Sequence, residues 1–367
     1  GEAQRVKIVR HRGSALPDVT YAFDEPSTGL HPADVHRLNQ LLLRLRDAGN
    51  TVLVVEHHQQ VIRVADHVID MGPGAGSAGG LVQFEGTPAR LRGGDTLTGR
   101  LLAQPLRIAE GEREPVSWEP VVNATTHNLT GFDVSVPSGV LTVVTGVAGS
   151  GKSSLATVEL PRQHPDFTVV GQEPLHGGVR STPLSILGVA DEMRRAFAAA
   201  SDLAPQWFSF NSKGACPACK GKGYITTELA FLDDVSTPCD ACGGKRFNDT
   251  ALSVTVAGHT IADVLAMTAA QVAEAFADRA EIVGTMSWME RVGLGYTAVG
   301  QSLDTLSGGE KQRLLLARHL SEVDDLTGEW IVLDEPTTGL HPSDVDRLDR
   351  LFGELVGAGA TLVVVEH

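Results

Sequence analysis

The chain has 367 residues, of which 42% are apolar and 5% aromatic, and a formal net charge of −15. That length accommodates two or three domains of an ordinary globular kind. No apolar run approaches the roughly 20 residues of a membrane helix, and the acidic balance argues against coating nucleic acid with a whole basic face, though a local basic patch remains open.

Residue 1 is Gly and lies inside a motif, so the chain is expected to be a piece of a longer protein, and a missing leader says little about targeting. Residues 19–25 predict a buried strand running into two acids. Residues 33–48 place Val35, Leu38, Leu41, Leu42 and Leu45 at helical spacing and stop at Gly49-Asn50. Thr51–Val55 is an apolar run of the type that fills a parallel strand buried on both faces. The glycine-rich stretch 72–80 is followed by no helical pattern, so it predicts a surface turn rather than a dinucleotide fingerprint.

Residues 104–120, rich in Pro, Glu and Arg, predict a linker. Strands are then expected over 132–136 and 140–144. Helical stretches follow near 189–200 and 261–283, and the strand–helix–strand pattern returns with strands over 331–333 and 361–365 and a helix over 345–356.

That return is a long-period repeat. Asp24-Glu25-Pro26-Ser27-Thr28-Gly29-Leu30-His31-Pro32 recurs 310 positions later as Asp334-Glu335-Pro336-Thr337-Thr338-Gly339-Leu340-His341-Pro342, and Glu56-His57 recurs as Glu366-His367 at the same offset. Gly1-Glu2-Ala3-Gln4-Arg5 recurs near the end as Gly309-Glu310-Lys311-Gln312-Arg313. A period this long means two copies of one module. Only the second copy carries a phosphate loop, Gly146-Val147-Ala148-Gly149-Ser150-Gly151-Lys152-Ser153, entered from an apolar strand.

In that loop, backbone N–H groups from Gly149 to Lys152 would cradle phosphates at a helix start continued by Ser154. Lys152 would reach the β- and γ-phosphates, and the Ser153 hydroxyl would hold Mg²⁺. Asp334, at the end of a buried strand, is expected in the Mg²⁺ shell, and Glu335 is expected to orient and deprotonate the attacking water. Leu306-Ser307-Gly308-Gly309-Glu310 resembles the signature motif of ABC-type ATPases, whose helix-start N–H groups meet a γ-phosphate across a dimer interface; an N-capping serine is also an ordinary helix start. Gln172, 20 positions after Lys152, fits the glutamine that senses Mg²⁺ and water, and His367 fits the histidine that contacts the γ-phosphate.

Cys216-Pro217-Ala218-Cys219 and Cys239-Asp240-Ala241-Cys242 are separated by nineteen residues, within the spacing of a four-thiolate zinc site. Four thiolates close the tetrahedron, so a structural ion is expected and no zinc chemistry. Lys213, Lys220, Lys222, Lys245 and Arg246 surround the pairs, interleaved with Phe208, Phe210, Tyr224 and Phe247. These cations could contact a phosphate backbone, or be solvated knuckle residues around packing aromatics.

In this order the motifs resemble the UvrA family, the DNA-damage-sensing ATPases of nucleotide excision repair. The T-G-L-H-P continuation, the Ala65–Pro73 segment, the Cys₄ insert and Gly243–Phe247 carry the likeness over nearly the whole chain. It implies an α/β fold of ABC-type P-loop modules with an inserted helical and zinc-binding domain. The implied divisions are the end of a first module (1–103), the linker (104–120), the second core in two parts (121–180 and 306–367), and the insert (181–305).

The resemblance further implies ATP, Mg²⁺ and Zn²⁺ as cofactors, double-stranded DNA and a second copy of the chain as partners, a UvrB-like helicase partner, a cytoplasmic location and no membrane. Two ATP sites would be shared between modules. One joins Lys152, Ser153, Gln172, Asp334, Glu335 and His367 to the signature ending Gly1-Glu2. The other joins Asp24, Glu25 and His57 to Ser307, Gly308 and Gly309. The short step from Lys152 to Gln172 departs from many repair-type members and looks like the compact UvrA-like class, some members of which protect against DNA-binding antibiotics. A transporter ATPase subunit is disfavoured by the cysteine insert.

Overall fold

The computed structural model describes residues 18–74, 79–104, 113–171, 180–227 and 235–366. The chain divides into two compact units: residues 1–172 with 325–367, and residues 173–324. Residues 181–305, expected as the insert, share the second unit with the signature helix Gly308–Glu322, which packs on the helix Ala280–Arg291 of that unit.

The first unit is built on a parallel sheet whose strands run Leu141–Val144, Thr361–Val365, Trp330–Asp334 and Thr168–Val170 in spatial order. Val332, Val363 and Val365 point into one cluster with Ala156 and Leu160 of the helical segment after the phosphate loop. The cluster continues into Val121, Ala124 and Val136 of the antiparallel pair Trp118–Ala124 and Phe132–Pro137. Five consecutive buried residues make Thr361–Val365 a central strand.

The earlier copy forms a smaller element of the same unit. Thr20–Asp24 pairs in parallel with Thr51–Val55, and Val35, Leu38 and Leu42 of the helix Pro32–Asp47 cover one face. The other face is open: Leu53 is 57% and Val55 66% exposed. Among the described residues the two-face burial expected for 51–55 is found in its repeat, where a second strand and a second layer flank Thr361–Val365, while one described layer flanks Thr51–Val55. The strands Val68–Gly72 and Leu81–Gly86 pair antiparallel, and residues 75–78 of the glycine-rich stretch expected as a surface turn lie outside the described residues.

In the second unit the helical pattern expected over 261–283 is three helices, Ile261–Ala266, Ala269–Ala275 and Ala280–Arg291. Capping interrupts the period. Thr260 with Asp263 opens the first helix and Thr268 with Gln271 the second, each through a capping box, while the third follows Arg279, which makes no side-chain cap. Among the described residues no helix is long and apolar enough to cross a membrane.

Candidate functional site

The phosphate loop leaves its strand at Val144 and turns through three glycines with positive φ, Gly146, Gly149 and Gly151. At Gly151 (φ 98°) the backbone conformation demands glycine, and a Cβ would also stand 2.8 Å from Leu129 Cδ2, which would have to move aside. Lys152 is buried, and its ammonium donates to Gly146 O (2.8 Å) and Val147 O (3.2 Å). The Ser153 hydroxyl donates to Asp334 Oδ1 at 3.1 Å. Two residues 181 positions apart, both expected at Mg²⁺, are thus brought into contact.

A support for this loop escaped the motif reading. Asn128 Nδ2 donates to Gly149 O at 2.8 Å, and His127 Nδ1 lies 3.2 Å from Ser154 Oγ. Thr126, beside them, donates to Glu159, a fully buried carboxylate on the helical segment after the loop. Arg162 and Gln163 also bind it. The Arg162 guanidinium first, and the Thr126 hydroxyl next, hold the Glu159 carboxyl down to about 2. Its folded value lies below its unfolded one, so its contribution is complete above the ordinary carboxylate range and fades as pH falls toward 2. The stability advantage of the wild type over Glu159→Gln should therefore be largest at neutral pH and shrink between about pH 5 and pH 2, as read by urea unfolding across that range.

The two acid turns share their backbone and carboxylate bonds, and the Thr337 hydroxyl adds one to Glu366 Oε1 at 2.8 Å. Glu25 N–H donates to Val55 O and Glu335 N–H to Val365 O, both at 2.9 Å. Thr28 and Thr338 each donate to the glutamate three residues before, at 3.3 Å. Ser27 N–H binds Glu56 Oε1 at 2.9 Å, and Thr337 N–H binds Glu366 Oε1 at 3.1 Å. Glu25 (φ 42°) and Glu335 (φ 51°) both adopt the left-handed region that side chains avoid.

The turns also face each other. A Cβ on Gly29 would lie 3.6 Å from Glu335 Oε2, and one on Gly339 would lie 3.8 Å from Glu25 Oε2. His57 Nδ1 stands 3.6 Å from Glu25 Oε1, pairing the first copy's histidine and acid. Its counterpart His367, together with Gln172 and Gly1–Arg5, lies outside the described residues.

In the second unit Ser307 caps the signature helix: its Oγ accepts Glu310 N–H at 3.2 Å, and Glu310 Oε2 accepts Ser307 N–H at 2.7 Å. Tyr296 Oη donates to the other carboxylate oxygen of Glu310. Burial opposes ionisation of Glu310, but the Tyr296 hydroxyl and the Ser307 N–H outweigh it and hold the carboxyl below its ordinary range. Gly308 and Gly309 open the helix immediately after the cap.

Cys216, Cys219, Cys239 and Cys242 place their Sγ atoms within 4.8 Å of one another, the one such cluster of potential metal ligands among the described residues. Cys219 Sγ and Cys242 Sγ are 3.8 Å apart. A tetrahedron with Zn–S bonds of about 2.3 Å has edges of about 3.8 Å, so the donor set fits zinc. Burial pushes the Cys242 thiol up to about 12, and a divalent cation is what would let four crowded sulfurs ionise together.

Lys213, Lys220, Lys222 and Lys245 are exposed around this cluster. Arg246, grouped with them on sequence, differs: its Nη1 donates to Gly300 O at 3.1 Å and its guanidinium lies over the Phe210 ring, 5.2 Å from the centroid. It is drawn inward because Phe208, Phe210 and Phe247 are buried packing residues that offer it an aromatic face.

The ABC transporter family model matches residues 241–338. Across its whole length the chain is 43% identical to the UvrABC system protein A of Bradyrhizobium diazoefficiens, covering 40% of that protein. It is 42% identical to that of Methanothermobacter thermautotrophicus, covering 42%. The crystal structure of UvrA2 from Deinococcus radiodurans superposes with a TM-score of 0.91 at 39% identity, over all of this chain and 48% of that one. The chain spans less than half the length of these relatives. The matched modules, the phosphate loop and the four-cysteine insert together place this chain in the UvrA family of ABC-type ATPases.

Proposed function

We propose that this chain supplies one nearly complete ATP site and part of a second to a DNA-binding ATPase of nucleotide excision repair. The observation that carries the reading is the Ser153–Asp334 contact at 3.1 Å. Neighbouring oxygens around Mg²⁺ are about 2.9 Å apart, so one ion fits both groups. Bound there, Mg²⁺ would neutralise phosphate charge. Lys152 would exchange its two carbonyl partners for phosphate oxygens, and Glu335 would take the proton of the attacking water, with Gln172 and His367 completing the site. Ser307, Gly308 and Gly309 would offer N–H groups to a nucleotide, and Asp24, Glu25 and His57 would serve the acid side of a second site. Zinc would hold the insert.

The DNA contact is assigned to Lys213, Lys220, Lys222 and Lys245 in a homodimer, in the cytoplasm, with damaged duplex handed to a UvrB-like partner. In the full-length protein, Lys→Ala at any of the four should weaken DNA binding and reduce the slope of log K against log salt by about one per lost phosphate contact. Arg246→Ala should destabilise the insert and leave that slope unchanged. A protein that neither binds duplex DNA nor changes its ATP turnover on adding it would defeat the reading.

The compact step from Lys152 to Gln172 favours a second use, protection against DNA-binding antibiotics. The relatives carry extra residues in the matched span, since alignments run over 401 positions against 367 here. Loss of the gene should then sensitise cells to an intercalating antibiotic more than to ultraviolet light; the reverse pattern favours repair.

A further inference from the structure

One hydrogen-bonded chain joins the two copies away from the phosphate loop. Thr98 Oγ1 donates to Asp70 Oδ1 at 2.7 Å and lies 3.3 Å from His341 Nε2. A hydroxyl has one proton. With that proton on Asp70, the Thr98 oxygen accepts from His341 Nε2–H, and the sequence of donors runs histidine to threonine to aspartate. All three side chains are half-buried, where such bonds are stronger than in water.

Their positions give the chain its meaning. Asp70 lies on the strand Val68–Gly72 and Thr98 on the helix Leu97–Ala103, both from the first copy. That helix packs on the helix Pro342–Gly357 of the second. His341 ends the turn that begins at Glu335, a turn fastened at its other points by Glu335 N–H to Val365 O and by Thr337 to Glu366. The first copy thus holds the far end of the turn, while Glu25 Oε2 approaches its middle at Gly339.

We propose that Asp70, Thr98 and His341 are positioning residues for hydrolysis, which fix the Glu335 turn against the other ATPase copy and carry a displacement of one copy to the acid of the other. This rests on Glu335 acting as the base. None of the three is among the groups proposed above to hold phosphate or Mg²⁺, namely Lys152, Ser153 and Asp334, so they are expected to set the rate of the chemical step and not nucleotide affinity.

The test uses the full-length protein. Thr98→Val keeps the shape and removes the hydroxyl. It should lower kcat for ATP on the order of tenfold, with KM held within about twofold. Thr98→Ser, which restores the hydroxyl, should recover the wild-type rate, and Asp70→Asn should reproduce the valine loss. Adding His341→Gln to Thr98→Val should cost no more than the valine alone, since both break one chain.

An unchanged kcat in Thr98→Val overturns the proposal. So does a loss that tracks a fall in unfolding midpoint and leaves turnover per folded molecule constant, because that outcome makes the bond structural only. Glu335→Gln in the same series separates the two claims. Turnover persisting there defeats the base assignment, whereas a dead Glu335→Gln beside a fully active Thr98→Val defeats the positioning chain alone.

Discussion

Glu335→Gln should reduce ATP turnover by two to four orders of magnitude while leaving ATP binding intact. The expectation follows from how little else the substitution changes. Glutamine has the shape of glutamate and can still accept from the Thr338 hydroxyl, which holds Oε2 at 3.3 Å. The backbone bond from residue 335 to Val365 O is independent of the side chain. Asp334 and Ser153, the pair proposed for Mg²⁺, keep their contact. What disappears is an acceptor able to become protonated beside the attacking water. The left-handed backbone at Glu335 supports this assignment, because a strained conformation repeated at Glu25 is retained only where surrounding bonds over-determine it. Binding is read by calorimetry with ATP and turnover by phosphate release. A glutamine variant that hydrolyses ATP near the wild-type rate would move the base elsewhere.

The parts of this site that depend on short contiguous motifs were legible in the sequence. A phosphate loop needs its glycines and lysine at fixed offsets, and a strand ending in Asp334-Glu335 carries its own signal in the apolar run before it. The legible parts end where side chains from distant segments meet. Asn128 reaches Gly149 across 21 positions and Thr98 reaches His341 across 243, and neither residue type is distinctive alone. Arg246 shows another kind of long-range packing that its own segment does not reveal. Grouped with four lysines by proximity in sequence, it is turned inward by Phe210 and a carbonyl 54 positions away. The open face of Thr51–Val55 has the same origin. An apolar strand reports what it can bury, while the layers that cover it are set by segments its own sequence does not encode.

The zinc ion should decide whether the region around the cysteines folds at all. Around the metal site the apolar cluster consists of the thiols themselves, Cys216, Cys219 and Cys239 with Cys242 against them, and Phe247 on Phe210 is the aromatic packing at its edge. The hairpin between the pairs is largely exposed, Val235–Pro238 throughout. Backbone closure rests on single bonds such as Cys216 N–H to Arg246 O at 2.8 Å and Cys239 N–H to Gly223 O at 2.9 Å. Burial on this scale cannot order such a loop alone. Structural zinc contributes on the order of 10 kcal/mol, comparable with the whole stability of an ordinary domain. Native mass spectrometry should therefore find one zinc ion per chain. Chelation or Cys242→Ser should abolish amide-exchange protection across residues 214–227 and 235–247 while protection of the sheet strands Trp330–Asp334 and Thr361–Val365 persists, because those lie in the other compact unit. Arg246 should lose its Phe210 contact in the same transition, since the carbonyl that binds Cys216 belongs to Arg246 itself. Protection of 214–227 and 235–247 that survives complete removal of zinc would show that the four sulfurs are packing residues and not a metal centre.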